Sequence, residues 1–497
     1  MNTFMNGLQN ATNYKHTENG AVAHKTTNSA VYDMFAFGGA YRCRSISDCI
    51  LLFKNAFEEN AELAMKCLFW LRDCRGGAGE RRFFRICIHW LAKVHPEAVK
   101  RNLEWIPVMG RWDDLYELVD TPLEENAFNF IANQLITDMA CTKNGISLCA
   151  KWLKSENCSS VESKKLAKIT RDHLSLTSKQ YRQMLSKLRA KINVLERLMS
   201  ANEWDKIEFD KIPSKAGLIY RNAFARRDIL AKKYEAFAKD KTTKVNAKAL
   251  YPYEIVEKAT KIPHKLLDDV DRLMVNKYWD SLPDYLNGAD CSMMCVVDTS
   301  GSMWGTPINV AISLGMYCAE RLNGPFKNNY ISFASRPQLI KIDGVDFVDK
   351  VKRIYRTNLC DNTNLTAVFD LLRRIALRPE VNKEDIPKTL IILSDMEIDE
   401  GTGARGYYTR NVTGWTTKTA ATEMEKIRQE WIKYGLQLPR LIYWNLDARH
   451  ETILDSGPNV SFVSGFSPTL FKQILTGKSG WELCLETITA ERYKDIK

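Results

Sequence analysis

The chain has no run of eighteen or more uncharged apolar residues, so no membrane-spanning helix is expected. None of its thirteen cysteines forms a C-x-x-C pair; they scatter from Cys43 to Cys484, mostly in apolar stretches. That argues against a zinc ribbon or a disulfide framework and predicts buried free thiols in a reducing compartment. The opening MNTFMNGLQNATNYKHTENG is polar and lacks the basic-then-apolar order of a secretory signal. The expected location is therefore the cytoplasm. A Walker loop is missing as well. Histidine is scarce, seven residues in all, and none sits beside an obvious nucleophile. His89 lies on an apolar helical stretch and reads as a packed residue, whereas His450 follows a strand. Without a positioned acid–base pair the protein is expected not to be an enzyme, with a metal-dependent hydrolase as the minor alternative.

What is abundant is positive charge in one region. The net charge is +11 over 497 residues. Residues 1–284 carry 45 Lys+Arg against 35 Asp+Glu, and residues 285–497 carry 26 against 25. Within 151–250 the count is 24 against 11, a net of +13. Such a footprint suits a polyanion; the competing reading is a set of lysine-rich solvated helix faces. Lys187, Arg189, Lys191, Arg221, Arg226 and Arg227 are the candidate RNA contacts. Tyr181, Tyr220, Phe224 and Tyr234 interleave them as stacking or packing aromatics.

A chain of this length predicts more than one domain. Residues 1–30 are polar and aperiodic and read as a flexible segment. Residues 31–284 show helix after helix with short turns, an α-helical, repeat-like array without a strict period. One helical run, SISDCILLFKNAFEENAELAMKCLFWLRDCRGG, is expected to end at Gly76-Gly77. From 285 to 497 the pattern changes to short apolar strands (MMCVVD, NNYISFAS, QLIKID, TLIILSD, PRLIYWNLD, VSFVSG) alternating with helices. The fold class is thus α followed by α/β, the second half a doubly wound, Rossmann-like sheet.

VVDTSGSM stands where the first strand of that half meets its helix. Its D-x-S-x-S pattern puts Asp298, Ser300 and Ser302 on one side of a turn, at the carboxyl end of a parallel strand where open α/β sheets bind ligands. Thr363, before a helix, and Asp395, after the strand TLIILS, are expected at the same edge. These hard oxygens suit magnesium first, with manganese or calcium as alternatives. The constellation resembles the metal-ion-dependent adhesion site (MIDAS) of von Willebrand factor A domains. The resemblance implies that Ser300, Ser302 and Thr363 ligate the ion directly or through water and that the aspartates act mainly through water. It leaves one position open for a partner's acidic side chain. The insertion over 397–417 adjoins this edge.

In the front half, WLRDCRGGAGERRFF places Arg72, Arg75, Arg81 and Arg82 around a glycine-rich turn. It reads as an inter-helix turn with Asp73 paired to a nearby arginine, or as a phosphate cradle. RDCRGGAGER, GRWDDLYEL, KIPSKAGLIYRNAFARRD and LYPYEIVEKA together resemble an uncharacterised family that joins a helical half to a von Willebrand A-like half. The design is similar to the Ro autoantigen family, whose TROVE module is a ring of HEAT-like helical repeats before such a domain. That likeness implies a ribonucleoprotein: small noncoding or misfolded RNA on the basic helices, and a protein partner with an acidic residue at the metal. The alternative is a metal-dependent interaction scaffold without a specific RNA role. Neither reading involves a membrane.

Overall fold

The computed structural model describes residues 12–142, 145–192, 195–247, 250–261, 269–288, 292–357, 363–399 and 422–497. Its front half is helical and its back half is built on a six-stranded sheet, so the α plus α/β class holds.

The long helical run is divided by Asn60. This residue is extended (φ −157°, ψ 102°), and its side chain accepts from Leu63 N at 3.0 Å. An asparagine satisfying an orphan amide starts a new helix more readily than it continues an old one. The run becomes helices Ile46–Glu59 and Ala61–Arg72, and the second ends at Asp73, before the glycines. The next helix, Arg82–Val94, buries Phe83, Phe84, Cys87, Ile88 and Leu91, a stripe at helical spacing.

The sheet comprises β3 (Met293–Asp298), β4 (Asn329–Phe333), β5 (Leu339–Lys341), β6 (Thr389–Ser394), β7 (Arg440–Asn445) and β8 (Val460–Ser464). Their order is β5-β4-β3-β6-β7-β8, parallel except for the β4–β5 pair. β3 is buried throughout and β6 to β8 almost so, as their unbroken apolar runs require. The chain builds outward on one side as far as β5 and then reverses to the other side of β3. The switch point therefore lies between β3 and β6, whose carboxyl ends carry Asp298 and Asp395.

Residues 12–30 are not a loose leader. β1 (Tyr14–His16) and β2 (Val22–His24) form an antiparallel hairpin, with Ala21 and Ala23 fully buried. The hairpin turn is bonded to the chain just after β6: Thr17 Oγ1 donates to Ile398 O (2.8 Å) and Asn19 Nδ2 to Glu397 O (2.7 Å). The segment looks disordered in sequence because its few apolar residues are small, yet small residues are what this close packing accepts. Helix Ala30–Phe37 then packs on β8, where Phe462 N donates to Tyr32 Oη and Ser464 Oγ to Phe35 O. In return, the C-terminus reaches the helical half. Arg492 Nη2 and Tyr493 Oη each donate to Asp73 at 2.9 Å. The two halves share one apolar core. No helix among the described residues is long and apolar enough to cross a membrane.

Candidate functional site

Two sites emerge. The first is the carboxyl edge of the sheet at its switch point. Asp298 and Asp395 are fully buried, Thr363 and Ser300 nearly so, and Ser302 is partly open. Asp298 Oδ1 accepts from Ser300 N (2.9 Å) and its Oδ2 from Ser394 Oγ (2.6 Å). The Ser300 and Ser302 hydroxyls lie 3.0 Å apart. Thr363 Oγ1 spends its proton on Glu397 O (3.1 Å), which leaves its lone pairs free. All five residues read from the sequence are thus gathered at one edge.

Does this edge suit a cation? Burial, and then the neighbouring Asp395, push the Asp298 carboxyl up to about 7. Two buried carboxylates without enough countercharge are destabilising, and a divalent ion supplies what is missing. The surrounding donors are hydroxyl and carboxylate oxygens, the set that Mg2+ prefers. The residues therefore fit such an ion.

The sequence reading missed four groups here. Asp447 lies two residues beyond β7, where Asp395 lies one beyond β6, and burial and Asp395 raise its pKa. An aspartate close after a buried strand, in YWNLD as in ILSD, was the available signal. Arg449 Nη2 donates to Asp395 Oδ2 at 2.8 Å, and its Nη1 lies 3.0 Å from Glu18 Oε2. Glu397 is fully buried and accepts from Glu18 N (2.6 Å), with His450 Nδ1 3.3 Å away. Glu18, Glu397 and His450 place ligand atoms within 4.8 Å of one another. Arg449 already compensates Glu18, and Thr452 and the Glu18 amide bond Glu397, so this cluster is an ion-pair and hydrogen-bond network. The 397–417 insertion lies outside the described residues from 400 onward.

The second site is a cleft of about 1250 Å³ within the helical half. Eight basic side chains line it against two acidic ones, Glu156 and Glu196. Among the described residues, no carboxylate is within ion-pair reach of Arg75, Arg81, Arg111, Lys151 or Arg182. Glu156 is committed to Arg171 (2.8 Å). Burial and the neighbouring Arg85 and Arg111 lower the Arg81 pKa, the mark of an electropositive crowd. Arg111 lies over the Trp152 ring at 4.4 Å.

The six basic residues read from the sequence are mostly elsewhere. Arg189 lines the cleft but gives its donors to Ala150 O, Leu153 O and Ser155 Oγ. Lys191 caps the carbonyls of Met139 and Cys141, Arg221 pairs with Asp271, and Arg227 lies over Trp204. Lys187 and Arg226 are exposed. Of the aromatics, Phe224 and Tyr234 pack with Phe209, while Tyr181 and Tyr220 reach the cleft.

The glycine-rich motif divides between structure and cleft. Arg72 pairs with Asp114 inside the core, and Asp73 meets the distant Arg492 rather than a nearby arginine. The amides of Gly77, Ala78 and Glu80 bond back to Asp73, Trp70 and Leu71, so they are not free to cradle a phosphate. Gly79 has φ +70° and abuts the Tyr251 hydroxyl, which only glycine permits. Arg75 and Arg81 are left facing the cleft.

A helical half carrying a basic cleft, joined to a mostly parallel sheet with an acid and hydroxyl edge, defines the class of molecule. One family model, a domain of unknown function (DUF2828), matches residues 17–134 and 146–289. A second, also a domain of unknown function (DUF7788), matches 292–495. An uncharacterized protein of Acanthamoeba polyphaga mimivirus is 30% identical over 510 residues, covering 94% of this chain and 85% of its own length. The chain belongs to the DUF2828 family.

Proposed function

We propose that this is a non-enzymatic RNA-binding protein of the Ro type, a TROVE-like helical half with a von Willebrand A-like half. RNA binds in the cleft of the helical half. The observation that carries this reading is the set of cleft cations that no described carboxylate compensates. Such a surface attracts a phosphate backbone, and the Tyr220 ring supplies a face for an unpaired base. The sheet edge holds a divalent cation, most favourably Mg2+, through Asp298, Ser300, Ser302, Thr363 and Asp395. There it recruits a protein with an acidic side chain. The scaffold component of this reading is favoured by Trp304, which stands 69% exposed two residues beyond Ser302. Aromatic rings on open surface are common anchors of protein interfaces.

The test is a titration of single-stranded RNA at 50 and 200 mM salt. If five cations contact phosphates, the log–log slope is about −3.5, and affinity falls about 100-fold between those salts. Replacing Arg81, Arg111 and Arg182 with glutamine should flatten the slope by about 2. No binding at 50 mM, or an unchanged slope in the triple variant, overturns the reading. Replacing Arg221, Arg226 and Arg227 serves as the contrast and should leave the slope nearly intact.

A further inference from the structure

We propose that Arg449 is a built-in counter-cation that competes with the divalent ion at the sheet edge, and that Glu18 on the N-terminal hairpin moderates this competition. The inference rests on the cation reading of that edge. It arises from a guanidinium bonded to a residue assigned to the ion.

The geometry is specific. Arg449 follows β7 and points across to Asp395, the carboxylate at the end of β6 (2.8 Å). Its other nitrogen meets Glu18 in the turn between β1 and β2 (3.0 Å). Burial works against the Arg449 charge, and Asp395 and Glu18 outweigh it. The hairpin turn is fixed to the same segment: Glu18 N to Glu397 Oε2, Asn19 Nδ2 to Glu397 O and Thr17 Oγ1 to Ile398 O. Thr363 bonds that segment too, through Glu397 O and Asp399 N. One short stretch, 395–399, therefore carries a cation ligand, contacts a second and seats the hairpin.

A divalent ion and a guanidinium on the same buried carboxylate repel each other at short range, where little water screens them. The ion binds after Arg449 gives up Asp395 or shares it. Glu18 offers Arg449 another partner and neutralises part of its charge, so it eases entry of the ion. The two residues thus act on the same affinity with opposite signs. Reciprocity requires that the ion also change how firmly Arg449 and Glu18 hold the hairpin turn.

The experiment is Mn2+ binding to the full chain by calorimetry, for the wild type, Arg449→Met, Glu18→Gln and Asp395→Asn. Arg449→Met should bind at least tenfold more tightly than the wild type, and Glu18→Gln several-fold more weakly. Asp395→Asn should lose binding, which locates the site. Thermal melts of each variant check folding, and Glu18 is about half exposed, so its change leaves the core intact. A merely structural Arg449 predicts weaker binding in Arg449→Met as well as in Glu18→Gln. That result, or equal binding by Arg449→Met and wild type, overturns the proposal while the cation site stands. Binding by none of the proteins removes the cation site itself and the proposal with it. Binding by Arg449→Met alone supports the proposal in its strongest form.

Discussion

Asp114 lies at the centre of the front half, and removing it should show whether the glycine-rich motif is architecture or site. Its carboxylate is wholly buried. Oδ2 accepts from Arg72 Nε at 2.8 Å and from Arg111 N at 2.9 Å, and Oδ1 accepts from Arg85 Nε at 2.7 Å. Arg72 is only 2% exposed and, among the described residues, has no other carboxylate. Asp114→Ala therefore strands a buried guanidinium and a buried amide, and such a break costs about 3–5 kcal/mol. With an unfolding entropy of about 2 cal/mol/K per residue, a cooperative melt of the whole chain would drop by roughly 3–5 °C. If the halves melt separately, the helical transition moves further. The assay is calorimetry of the wild type, Asp114→Ala, Arg72→Met and the double variant. The double variant should recover at least half the loss, because it removes the stranded Arg72 charge while Arg85 keeps Asp113. RNA affinity should change less than stability, since Arg72 does not face the cleft. A melt unchanged in Asp114→Ala, or an RNA defect in Arg72→Met without a stability defect, refutes the structural assignment.

Asp33 gives a pH signature: burial holds its carboxyl at about 6 despite hydrogen bonds from Thr26 and Thr27. A raised folded pKa means that the folded state keeps a proton the unfolded chain releases from about pH 4, so its contribution to stability declines between pH 4 and 6 and levels off above. Asp33→Asn should flatten that decline in melts taken across the window. A fragment spanning 285–497 loses helix Ala30–Phe37 from β8 and the hairpin from the 397–398 segment. It should aggregate or melt without a cooperative transition, whereas adding residues 12–41 in trans or by fusion should restore one. A soluble, cooperatively melting fragment would show that the sheet half needs neither element.

The sheet was legible because its central strands are buried on both faces, and continuous apolar runs such as MMCVVD and TLIILS have few other uses. The five edge oxygens were legible for the same reason, since strand ends fix where Asp298 and Asp395 must lie. The hairpin was not: Tyr14–His16 and Val22–His24 are three-residue strands, too short for periodicity to register. Its partners lie at 397–399 and 453, a separation that a sequence window does not span. Arg449 and Glu18 escaped notice likewise, because each makes sense only beside Asp395. Asn60 was missed as a breaker because both flanking segments have strong helical patterns. Its side chain decides the matter by capping the second.

The basic residues show where charge counting stops and pairing begins. The net charge of 151–250 points to a polyanion, but the densest basic runs do not show which side chains are uncommitted. In the folded chain many of those side chains are spent on carbonyls or carboxylates, as Arg189, Lys191 and Arg221 show. A cation that already satisfies a protein acceptor contributes less to a phosphate than one held apart from any carboxylate. Arg81 and Arg111 belong to the second kind, and both lie outside the basic region. The region supplies part of the cleft wall through Lys151 and Arg182, while the RGGAGER turn and the start of GRWDD supply the rest. The structural members of those two motifs, Arg72, Asp73 and Asp114, hold the turns in place. Arg81 and Arg111 beside them, which pair with no described carboxylate, are the ones a phosphate would meet in the proposed reading.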